Sequence, residues 1–115
     1  MIDWEAAVGF ALSLGGCELA SSYGKPAVRI SANGRSFLAQ GRESATAFCV
    51  HLDEDDVAML IETDPDSFFQ TPHYVGWPTV LVRYDSPDPD RVRAVIARAH
   101  ARAAALPKVR PRARK

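Results

Sequence analysis

The chain has little that would anchor it in a membrane or staple it covalently. Its 115 residues include two cysteines, Cys17 and Cys49, which form no metal-binding or redox spacing. Two such thiols predict a reduced protein of the cytosol rather than a disulfide framework. Long apolar runs are also missing. The longest stretch free of Lys, Arg, Asp and Glu covers residues 67–82 and contains Pro72, His73 and Pro78. A spanning helix needs roughly 20 mostly apolar residues, so no membrane helix is expected. The start, Met1-Ile2-Asp3-Trp4-Glu5, has neither the basic opening nor the apolar segment of a signal peptide, and a cytoplasmic location is the expectation.

Acidic residues stop at position 90. Residues 1–90 carry all 14 acids against five basic residues (Lys25, Arg29, Arg35, Arg42, Arg83), a net of −9; residues 91–115 carry nine basic residues and no acid, a net of +9. A basic end on an acidic body points to a polyanionic partner, or to an end that docks on its own body. Hydrophobic residues make up 47% of the chain, enough for one packed core without a metal or disulfide. The expectation is one domain over residues 1–106 and a basic, flexible tail over 107–115.

Local patterns predict an α+β domain: an antiparallel sheet with hairpins, packed by an N-terminal helix, central acidic helices and a C-terminal helix. Asp3 caps a first helix whose apolar face is Trp4, Ala7, Val8 and Ala11, and Gly15-Gly16 ends it near Leu14. Residues 17–24 read as a short strand or an irregular crossing. Ala27 to Ile30 reads as a strand, Asn33-Gly34 as a tight hairpin turn, and Ser36 to Gln40 as the return. Between Thr46 and Leu52, alternation sets Phe48, Val50 and Leu52 against Ala47, Cys49 and His51. Asp53 starts an acidic helix with apolar positions Val57, Leu60 and Ile61. Asp64-Pro65 opens a helical turn through Phe68 and Phe69, and Thr79 to Tyr84 reads as a strand. Asp88-Pro89 opens the last helix, with Val92, Val95, Ile96, Ala99 and Ala103 on its apolar face and Pro107 at its end.

Three segments carry a family resemblance: Ser22-Tyr23-Gly24-Lys25-Pro26-Ala27, the block from Asp64 through Thr71-Pro72-His73-Tyr74, and Gly76-Trp77-Pro78 followed by Val80 to Arg83. They are similar to the MmcQ/YjbR family of small intracellular bacterial proteins, over roughly residues 4–106. Lys25 stands where that family often has threonine. The resemblance implies a sheet like the double-wing fold and a DNA-binding label that rests on fold analogy.

Functional candidates fall into three groups. Lys25, Arg29, Arg35, Arg42 and Arg83 lie on or next to the strands and hairpins, where they suit phosphate contacts. Arg91, Arg98 and Arg102 share a face of the last helix, and Lys108, Arg110, Arg112, Arg114 and Lys115 extend it as an electrostatic clamp. In the loop Thr71–Pro78, the rings of His73, Tyr74 and Trp77 suit base stacking or a small pocket, with Tyr23 beside them. The structural alternatives are a solvated tail, and Tyr74 and Trp77 packed down as a lid on the core. Cys49 and His51 share a strand face, but no third catalytic partner declares itself, and no cofactor or metal is expected. The leading expectation is weak, largely sequence-independent DNA binding without catalysis. A small-molecule or protein-interaction pocket at Tyr23, His73, Tyr74 and Trp77 is the alternative.

Overall fold

The computed structural model describes residues 2–22 and 24–109. Three helices, α1 (Trp4–Ser13), α2 (Glu54–Thr63) and α3 (Pro89–Ala104), accompany six strands: β1 (Cys17–Ser22), β2 (Lys25–Ile30), β3 (Ser36–Ala39), β4 (Ala47–His51), β5 (Phe68–Phe69) and β6 (Thr79–Arg83). The strands form one antiparallel sheet in the order β1-β2-β3-β4-β6-β5. The α+β class expected from the sequence is therefore the fold.

Each helix begins on an aspartate whose carboxylate accepts a backbone N–H three residues on: Asp3 from Ala6, Asp53 from Asp56, and Asp88 from Arg91. These bonds satisfy donors that have no partner within the helix. All three helices cover the same face of the sheet. Phe48, Val50 and Leu52 of the β4 segment meet Ala7 and Ala11 of α1, Val57 and Leu60 of α2, and the whole anticipated apolar face of α3 in one buried core. Trp4 packs against Phe48 with ring centroids 6.4 Å apart, and Phe48 stacks on Tyr84 at 6.0 Å. His100 of α3 donates through Nε2 to the Gly15 carbonyl at 2.8 Å, tying the last helix to the end of the first.

Among the described residues no α-helix joins the core on the opposite face. Ala27, Ala39, Ala47, Cys49 and Leu81 form a smaller apolar cluster there, with Phe69 and Tyr74 packed against it. The alternation in β4 thus divides the two cores as its sequence indicates.

Of the strand and the irregular crossing open to residues 17–24, the strand forms: Cys17–Ser22 is a regular edge strand, paired with β2 along its whole length. Several other details differ from the sequence reading. Phe68 and Phe69 are the short strand β5 rather than helix: the Asp64 carbonyl accepts from Ser67 and Phe68, turning the chain so that Phe68 faces the main core and Phe69 the open face. Only one acidic helix, α2, lies in the middle of the chain. The β2–β3 connection is a five-residue loop, not a two-residue turn. Gly34 takes φ +73°, while the Asn33 side chain turns inward and donates to the carbonyls of Ala103 at 2.8 Å and Leu106 at 3.0 Å. Asn33 therefore caps the C-terminal end of α3 from another part of the chain, and the helix stops at Ala104, before Pro107.

The start of the expected flexible tail is anchored. Val109 donates its N–H to the Asn33 carbonyl, and Arg35 Nε donates to the Pro107 carbonyl, both at 2.8 Å. Residues 110–115, with the basic residues Arg110, Arg112, Arg114 and Lys115, lie outside the described residues.

Candidate functional site

On the open face, the segment between β5 and β6 folds back over the sheet. A single 3₁₀ turn, Pro72–Tyr74, forms within it. Gln70 holds the segment in shape: its side-chain N–H₂ donates to the carbonyls of Thr79 at 2.8 Å and Tyr74 at 3.1 Å. Gly76, at φ +86°, reverses the chain before Trp77.

Between this segment and the sheet lies a cavity of about 580 Å³, within the roughly 300–1,000 Å³ usual for small-molecule sites. Its floor is Ala39 of β3, Cys49 and His51 of β4, and Thr79 of β6. Lys25, the segment Gln40-Gly41-Arg42, and His73, Tyr74 and Trp77 complete its lining, with the Tyr74 hydroxyl against Gly41. Residues far apart in the sequence, singled out separately as cations or rings, thus share one site. Tyr23 lies outside the described residues.

Each wall has its own cause. Lys25 opens β2, directly after the turn at Gly24 (φ +79°). Arg42 rides on a turn fixed from below, where the Tyr84 hydroxyl donates to the Ser44 carbonyl at 2.6 Å. Lys25 and Arg42 are exposed, and neither forms a salt bridge among the described residues. Tyr74 packs down as a lid: it joins the open-face cluster, and its hydroxyl lies 3.6 Å from Cys49 Sγ. Trp77 does the reverse and is 63% exposed. His73 meets Tyr74 edge-to-face with centroids 4.8 Å apart.

The floor is uncharged at neutral pH. Burial pushes the Cys49 thiol above its usual range, the reverse of an activated nucleophile. Burial, aided by the thiol, pushes Tyr74 up to about 12. His51 is pushed down to about 4 by burial and, secondarily, by the positive charge of Arg102. Its Nδ1 pairs with the Thr79 hydroxyl at 3.0 Å. Cys49 and His51 share a face as expected, but each is engaged elsewhere, Cys49 with Tyr74 and His51 with Thr79. Among the described residues no group of three His, Cys, Asp or Glu side chains is arranged to hold a metal.

The other cationic candidates do not join this site. Arg29 is paired with Glu18 at 2.7 Å, which holds that carboxyl below its ordinary range. Arg35 is bound to the Pro107 carbonyl. Arg83 lies over the Phe69 ring, 4.1 Å from its centroid. On α3, the face expected to act as a clamp turns toward the acidic helix instead. Arg98 grips Asp56 with two hydrogen bonds of 2.7 and 3.1 Å, and Arg91 reaches Asp64 at 3.7 Å and the Thr63 hydroxyl at 3.1 Å. Arg102 sits in the last turn of α3 and acts on His51 through its charge. The opposite charges of body and basic end therefore partly pair within the chain.

Sequence reasoning missed Gln70, Gly41 and Thr79. Gln70 carries no pattern signal. Gly41 reads only as a turn residue, although a Cβ there would press on the Tyr74 hydroxyl and stand 2.8 Å from Cys49 Sγ. No family model matches the chain, and no curated protein or solved structure is significantly similar to it. No helix in the described residues is long and apolar enough to cross a membrane.

Proposed function

We propose that this chain is a binding protein whose site is the cavity on the open face of the sheet, and that it takes a small anionic ligand without transforming it. One observation carries the reading: one cavity is lined by a solvent-exposed tryptophan and by two cations, Lys25 and Arg42, that have no salt-bridge partner among the described residues. An exposed indole on a segment fixed by Gln70 has no packing role to explain it, and exposed aromatic side chains beside a concave site mark binding surfaces. The protonated thiol and the neutral, hydrogen-bonded histidine of the floor suit recognition better than covalent chemistry. The test is a two-dimensional amide NMR titration of the full chain with a set of small aromatic anions. Shifts confined to Gly41, Arg42, His73 and Trp77 support the site; shifts elsewhere, or none, overturn it.

A second reading is DNA binding by the same open face, as in the double-wing arrangement of the MmcQ/YjbR family, whose order of elements this chain is proposed to share. It is favoured by Lys25, Arg42 and Arg83, which stand on that face free of carboxylate partners among the described residues. Against it, Arg29, Arg91 and Arg98 are already paired with acids. The discriminating experiment is binding of labelled duplex and single-stranded DNA across a salt series, comparing the full chain with one ending at Val109. That cut keeps the segment anchored on Asn33 and Arg35. Salt-sensitive binding that survives truncation supports the face. A log–log slope of up to about −3.6 that vanishes with the tail assigns binding to phosphate contacts of its four cations, Arg110, Arg112, Arg114 and Lys115.

A further inference from the structure

We propose that the ligand of this cavity is a nucleotide, with its base laid against Trp77 and its phosphate held between Lys25 and Arg42. This rests on the binding reading above and names the ligand class. The argument is one of chemical matching. A dianionic phosphate monoester suits two cations, whereas a simple carboxylate leaves one unpaired. Both cations line the same cavity as the three rings, so the ligand combines a charged group with a flat apolar surface. Phosphorylated sugars and aliphatic dicarboxylates lack that flat surface and leave the exposed Trp77 unused.

A nucleobase stacks on aromatic rings with little regard to sequence. His73 and Tyr74, packed edge-to-face, stiffen the ring side against which it would lie. Beneath, the floor offers neutral hydrogen-bonding groups, the His51 ring and the Thr79 hydroxyl, suited to base edges or ribose rather than to a second phosphate. The acid close to this floor is Glu43. It follows Arg42 directly in the chain, its charge is felt by Tyr74 and Cys49, and its buried Oε1 accepts no hydrogen bond among the described residues.

The same chemistry has two sources, a free mononucleotide and the phosphorylated end of a single strand. The test uses the full chain, amide NMR, and five probes: AMP, adenosine, benzoate, and a short single-stranded DNA with and without a 5′-phosphate. The expected result is that AMP shifts Gly41, Arg42, His73 and Trp77, while adenosine binds at least roughly tenfold more weakly for want of charge-assisted hydrogen bonds. Lys25→Gln and Arg42→Gln each weaken AMP roughly tenfold and leave adenosine unchanged. Both side chains are exposed, so these variants keep the fold. If only the 5′-phosphorylated strand binds, and at the same residues, the inference stands with a strand end as the source. Equal affinity for AMP and adenosine overturns it. Benzoate bound at the cavity with no nucleotide bound overturns the ligand class and leaves the cavity reading intact. Silence at the cavity residues with every probe overturns both.

Discussion

The hydroxyl of Tyr74 rests against the bare Cα of Gly41, on the side where a β-carbon would stand. This contact closes one end of the cavity and depends on a residue with no side chain. Gly41→Ala is expected to destabilise the protein by about 1–3 kcal/mol through overpacking, read as a lower urea midpoint. Tyr74→Phe in the same chain should recover part of that loss, because it removes the pressed oxygen. The recovery is partial, since Cys49 Sγ also lies 2.8 Å from the added carbon. A double-mutant cycle measures the coupling; strict additivity would show that the two residues are not in contact.

His51 should make stability depend on pH. Its folded pKa is pushed down to about 4 from an ordinary 6.5. Between those values the unfolded chain binds the proton and the folded one does not, so stability falls as pH drops from about 6.5 to 4. The full effect is on the order of 2–3 kcal/mol. Chemical denaturation of wild type and His51→Gln at pH 7 and pH 4.5 should show a smaller acid loss in the variant. Equal losses would place His51 in a wetter setting than its Thr79 pairing indicates.

Asn33→Ala removes the donor shared by the Ala103 and Leu106 carbonyls. The expected cost is about 1–3 kcal/mol, because a buried helix end loses its partner. Amide hydrogen exchange should quicken at Ala105, Leu106 and Val109. Arg42, beyond the other end of β3, and His73, between β5 and β6, should keep their exchange rates.

Cys49 should react slowly with iodoacetamide in the folded protein at pH 8. It is 3% exposed and its thiol is held protonated by burial. Denaturant should restore ordinary reactivity. Rapid alkylation of the native chain, mapped to Cys49 by peptide mass, would contradict the closed floor.

Arg98→Ala should leave the urea midpoint nearly unmoved, because the Asp56 pair lies at the surface with Arg98 64% exposed. Asp56→Asn should instead free Arg98 and strengthen salt-sensitive DNA binding if α3 is a nucleic-acid surface at all. Unchanged binding would remove α3 from that role.

Local chemistry in the sequence determined the elements. Asp3, Asp53 and Asp88 start helices because each carboxylate satisfies a backbone donor within one turn, and that requires nothing distant. The alternation from Ala47 to Leu52 assigned each side chain to its face because a strand's period of two permits no compromise. Tertiary structure alone decided the rest. Phe68-Phe69 became strand because β6 offered an edge to pair with, outweighing the local signal of Asp64-Pro65. Asn33 became a helix cap because α3, some seventy residues later, ends beside it. The long-range pairing of charge is the clearest case. Arg91 and Arg98 read as a free basic stripe until α2 brings Asp64 and Asp56 against them, while Lys25 and Arg42 form no salt bridge among the described residues and line a cavity with Trp77. A sequence records which charges exist, but which are neutralised depends on distances of a few ångströms, and those are set only when the sheet and helices pack.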